Sequence, residues 1–73
     1  MPKRTELVRR IRRLADAHGC TAVILRQGKH DIWECAGFRF PIPRHRVIAD
    51  GTARTILGKL EAHLERVAQG ENS

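Results

Sequence analysis

Seventy-three residues with 14 Lys and Arg against 8 Asp and Glu carry a formal charge of +6, and so small and basic a body favours polyanionic partners, nucleic acid or an acidic protein. A chain this short buries only about 60% of its unfolded surface, too little for two cores, so residues 1–73 read as a single domain. No apolar run approaches the ~20 residues of a membrane span, Lys3-Arg4 leads straight into a charged helix without a signal segment, and Cys20 and Cys35 form no CxxC or zinc-ligand pattern; the expectation is a cytoplasmic chain with reduced thiols, no metal and no cofactor.

The first helix is expected to be capped by Thr5, because Leu7, Val8, Ile11, Leu14 and Ala15 then form one apolar stripe at helical spacing. His18-Gly19 ends it, with Gly19 in the left-handed position that follows a helix. The opposite face carries Arg9, Arg10, Arg12 and Arg13, a spacing that follows a phosphate backbone and equally suits a solvated face. From Thr21 to Arg26, the run Val23-Ile24-Leu25 is too short for a helix and reads as a strand, central or well covered.

Strands from His30 to Glu34 and from Phe38 to Ile42 form a hairpin across Cys35-Ala36-Gly37, with Gly37 free to take a positive φ. If Ala36-Gly37 is the two-residue loop, Cys35 pairs with Phe38 and Trp33 with Phe40, and these four pack beneath the helices while His30, Ile32 and Glu34 face away. Pro41 and Pro43 cannot donate ladder hydrogen bonds, which makes the third strand an edge. Asp50 or Thr52 is expected to cap a second helix whose stripe is Ala53, Ile56, Leu57, Leu60, Leu64 and Val67, ending near Gln69 before a disordered tail over about residues 70–73. The fold class is α+β: α-β-β-β-α, a three-stranded antiparallel sheet with both helices on one face.

His30 follows a glycine turn and opens a strand, so an imidazole of ordinary pKa near ~6.5 is held by ordered backbone where a ligand can approach. The hairpin brings Arg44, His45 and Arg46 back toward Gly28, Lys29 and His30, converging two histidines and at least three cations on one end of the sheet. One imidazole for a 2′-hydroxyl proton, with cations to hold a phosphate as charge accumulates, is what metal-free RNA cleavage requires. A phosphate clamp that cleaves nothing uses the same groups. His63, on the second helix, reads as exposed, and Asp31 and Glu34 fall on opposite faces of their strand, which argues against a carboxylate metal pair.

Arg26-Gln27-Gly28-Lys29-His30, the strand Asp31-Ile32-Trp33, the segment Pro41-Ile42-Pro43-Arg44-His45 and the opening Gly51-Thr52-Ala53-Arg54-Thr55-Ile56-Leu57 together resemble the HicA family of toxin ribonucleases, over about Glu6 to Leu60. The resemblance implies a fold similar to double-stranded RNA-binding domains and an mRNA interferase of a type II toxin-antitoxin system acting in stress responses. It also implies His30 as the catalytic residue for metal-independent cleavage and a HicB-type antitoxin that covers the site, the toxin being a monomer alone and part of a hetero-oligomer with its antitoxin. This chain has Lys29 where the family commonly has Ser, Cys20 where the residue after the helix-ending glycine is often aromatic, and a second helix some ten residues longer than in many members.

The combined expectation is an endoribonuclease with His30 catalytic and Gly28, Lys29, Arg44, His45 and Arg46 binding RNA, His45 doubling as a candidate second proton-transfer group. The alternatives are a small basic RNA-binding module without catalysis and a protein-interaction partner that docks through its Arg-rich helix.

Overall fold

A computed structural model describes residues 3–70. Five elements follow one another: α1 (Arg4–Ala17), β1 (Val23–Arg26), β2 (His30–Cys35), β3 (Phe38–Pro43) and α2 (Asp50–Ala68). This is the α-β-β-β-α order expected, with an antiparallel sheet in the order β1-β2-β3. The end of the expected tail, Glu71 to Ser73, lies outside the described residues.

Both helices lie on one face of the sheet, since Leu7, Ile11 and Ala15 of α1 and Ala53, Ile56, Leu60 and Leu64 of α2 share a buried cluster with Trp33, Cys35, Phe40 and Ile42. The periodicity produces this directly: each helix buries one stripe, and β2 and β3 bury alternate residues. Register is fixed by the hairpin, where Cys35 opposes Phe38 and Trp33 opposes Phe40 as the two-residue loop requires. Ala36 (φ 52°) and Gly37 (φ 84°) both adopt left-handed backbone, the geometry of a type I′ turn.

The helix ends differ in how they are satisfied. At the end of α1, the amides of Gly19 and Cys20 donate to the carbonyls of Asp16 (3.0 Å) and Ala15 (2.9 Å), with Gly19 at φ 72°. This is a Schellman closure. His18 Nδ1 adds a hydrogen bond to the Leu14 carbonyl at 3.1 Å.

Neither expected N-cap forms. α1 starts one residue before Thr5, with Lys3 in the capping position and no side-chain cap. Lys3 bridges Val47 and the Arg4 amide donates 2.9 Å to the Arg46 carbonyl, so the loop before α2 does the work of a cap. Ala49 takes the corresponding place before α2, which leaves Asp50 as its first residue, where a carboxylate favours the positive end of the helix.

β1 also departs from expectation. It begins at Val23 rather than Thr21, lies at a sheet edge, and its Val23, Ile24 and Leu25 are 43%, 40% and 47% exposed. A shift in pairing between Ile24 and Arg26 breaks its alternation against β2, and all four of its residues are exposed. Cys20 and Cys35 are free, the latter buried, and burial first, then the proximity of Cys20, raises the Cys35 thiol above its ordinary 9.0. No helix among the described residues is long and apolar enough to cross a membrane.

Candidate functional site

His30 opens β2 opposite Pro43, the last residue of β3, so hairpin pairing holds the backbone around the imidazole on both sides. Its alternation with buried Asp31 puts it, with Ile32 and Glu34, on the face turned away from the helices. The side chain is exposed. It borders a cleft of about 550 Å³ whose other walls are Pro41 and Pro43 of β3 and Ala49, Gly51, Thr52, Thr55 and Ile56 at the start of α2.

That second wall matters electrostatically. The first intrahelical bond of α2 runs from the Ala53 amide to the Ala49 carbonyl at 3.0 Å, so the amides before it have no acceptor within the helix and present the positive end of its dipole. A helix start of this kind suits a phosphate group. The cleft thus places an imidazole beside anion-favouring backbone and two threonines.

The expected cations divide. Lys29, His45 and Arg46 are exposed, and their side chains make no hydrogen bond or ion pair among the described residues. Arg44 turns back under the sheet end: its Nη1 donates 3.3 Å to the Gly28 carbonyl and its Nε lies 3.7 Å from Asp31 Oδ1. Gly28 therefore contributes an acceptor for Arg44. Its φ is not positive, and a Cβ there would meet nothing closer than the His30 carbonyl at 4.0 Å, so the fold does not demand glycine at this position.

Asp31, which the sequence placed only on the strand face opposite Glu34, is a buried carboxylate. It is 4% exposed and is held by Arg4 Nη2, while Arg4 Nε donates 3.2 Å to the Pro43 carbonyl. A buried carboxylate costs several kcal/mol unless cations and donors compensate it, and this pairing ties the start of α1 to the ends of β2 and β3. The signal was present in the register: Asp31 shares its face with Trp33 and Cys35, so a hairpin that buries Trp33 also buries Asp31 and requires a basic partner.

His63 is a second correction. It is half-buried: Nε2 lies 2.7 Å from the Ala36 carbonyl, to which it donates, and the ring stacks on Phe38 with centroids 5.3 Å apart. It fastens α2 to the hairpin turn at the end of the sheet opposite His30. Among the described residues no group of three His, Cys, Asp or Glu is placed to hold a metal ion. No family model, curated protein or solved structure matches this chain.

Proposed function

We propose that the protein is a metal-independent endoribonuclease, an mRNA interferase toxin of HicA type whose fold is similar to double-stranded RNA-binding domains and whose activity a HicB-type antitoxin blocks. One observation carries the reading: an exposed histidine, its backbone fixed by hairpin pairing, borders an open cleft that it shares with the amino-terminal turn of α2 at the basic end of the sheet. His30 takes the proton from a ribose 2′-hydroxyl, the 2′-oxygen attacks the adjacent phosphorus, and the bond from phosphorus to the 5′-oxygen breaks. The products are a 2′,3′-cyclic phosphate and a 5′-hydroxyl, the leaving oxygen receiving its proton from His45 or water. Charge gathering on the phosphate is met by Lys29, Arg46 and the α2 amides, with Arg44 and the Gly28 backbone shaping the approach. The same basic surface fits an acidic inhibitory partner.

Expression in a bacterial host without antitoxin tests the reading directly, with growth and the length of a reporter mRNA as readouts. Wild type is expected to stop growth and shorten the mRNA, and His30→Ala to do neither, since loss of a general base costs about a hundredfold to ten-thousandfold in rate. Equal growth and intact mRNA at equal protein levels would leave the second reading, an RNA-binding module without catalysis. That reading has its own observation: Arg9, Arg10, Arg12 and Arg13 form an exposed face on α1 that is separate from the His30 cleft.

A further inference from the structure

On the α1 side of the sheet end, away from the His30 cleft, a second cleft of about 380 Å³ lies between α1 and β1, lined by Arg4, Arg12, Ile24, Gln27, Asp31, Trp33 and Arg44. Three guanidiniums stand there against one carboxylate. Arg4 and Arg44 are partly engaged by Asp31, but Arg12 makes no hydrogen bond or ion pair among the described residues and only rests over the Trp33 ring, 5.5 Å from its centroid. Arg12 therefore keeps all five of its donors for a ligand.

Two residues that line this cleft, Trp33 and Asp31, each carry a buried polar atom without a hydrogen-bond partner, although Arg44 Nε stands 3.7 Å from the Asp31 oxygen. Trp33 Nε1, in a side chain 1% exposed, donates to nothing, and Asp31 Oδ1, in a residue 4% exposed, accepts no hydrogen bond among the described residues. A buried donor or acceptor without a partner is costly, so two on the lining of one cleft point to an occupant that satisfies them. The occupant must supply an acceptor to the indole N–H, negative charge to Arg12 and Arg44, and a donor to Asp31. A bare anion supplies no donor, and an acidic peptide brings further carboxylates to Asp31. A ribonucleotide supplies all three, through its phosphate oxygens and its sugar hydroxyl.

We infer that this cleft binds one ribonucleotide unit of an RNA strand, its phosphate held by Arg12 and Arg44 and its 2′-hydroxyl donating toward Asp31, as an anchor separate from the His30 cleft. The inference deepens the ribonuclease reading and rests on it only for RNA as the ligand class; it needs no cleavage. Trp33 is the only tryptophan and lies in the site, which gives the site its own reporter.

The test uses the full chain carrying His30→Ala, so that the probe stays intact, titrated with a short single-stranded oligoribonucleotide and the deoxyribonucleotide of the same sequence. RNA is expected to change Trp33 fluorescence saturably and to bind more tightly than DNA. Adding Arg12→Gln, at an exposed position, is expected to weaken RNA binding about tenfold, as for one lost charged contact, and to flatten the dependence of log affinity on log salt by about 0.7. An unchanged Trp33 signal, equal binding of RNA and DNA, or an Arg12→Gln variant that binds like its parent overturns the inference. Cleavage by the wild-type chain alongside any of these failures would leave the ribonuclease reading standing without this anchor. Absence of cleavage together with a Trp33 response to RNA would do the reverse.

Discussion

At the scale of single residues, two side chains decide how the ends of the sheet are held. His63 closes one end by donating to the Ala36 carbonyl and stacking on Phe38, and each of these contacts is worth roughly 0.5–1.5 kcal/mol. His63→Ala should therefore lower stability by about 1–2 kcal/mol, several degrees of Tm in a domain this small, whereas His63→Phe keeps the stack and should recover part of the loss; thermal unfolding followed by circular dichroism measures both. Neither the contact nor the burial of Asp31 was legible as a motif. An isolated histidine on a helix carries no local sign of its partner 27 residues away, and a strand aspartate reads as polar until register shows that it shares a face with Trp33. By contrast, the return of Arg44 to Gly28 was legible, because a two-residue hairpin fixes which residues meet at its open end.

The elements show the same division between local and global information. Helix stripes and hairpin register followed from periodicity because each needs only its own residues to be satisfied. The place of β1 did not, since Val23-Ile24-Leu25 is the same apolar run whether a strand is central or at an edge, and only the pairing order separates the cases. The caps failed for a related reason: Thr5 and Thr52 are good capping residues, yet the bridge between Lys3 and Val47 moves the start of α1 and satisfies its amide from another segment. At the hairpin, Ala36 holds φ 52°, a conformation that costs an L-residue about 1–2 kcal/mol and that asparagine tolerates better. Ala36→Asn is accordingly expected to stabilise the protein by about 0.5–1 kcal/mol, read as a higher urea midpoint at unchanged m-value. A lower midpoint would mean that the Ala36 methyl group, packed against the core, matters more than its backbone.

For the whole molecule, a thin core under a strongly basic surface makes stability sensitive to any buried group that gains charge. Cys35 is such a group. It is 1% exposed within the shared cluster of both helices and the sheet, and burial raises its thiol above the ordinary 9.0. The unfolded chain therefore loses this proton at lower pH than the folded chain does, so above the ordinary value the unfolded state binds fewer protons and stability falls as pH rises. Below that value both states hold the proton and Cys35 contributes no slope. Urea unfolding at pH 7, 8, 9 and 10 should show this decline in the wild-type chain, at no more than about 1.4 kcal/mol per pH unit from a single proton. Cys35→Ala, which lowers stability at every pH by leaving a small cavity, should show a shallower decline; lysine titration is common to both chains, so the difference between the two curves isolates the thiol. Parallel curves from pH 7 to 10 would mean that the folded protein accommodates the thiolate, and that the core around Trp33 and Cys35 opens to water more readily than its packing indicates.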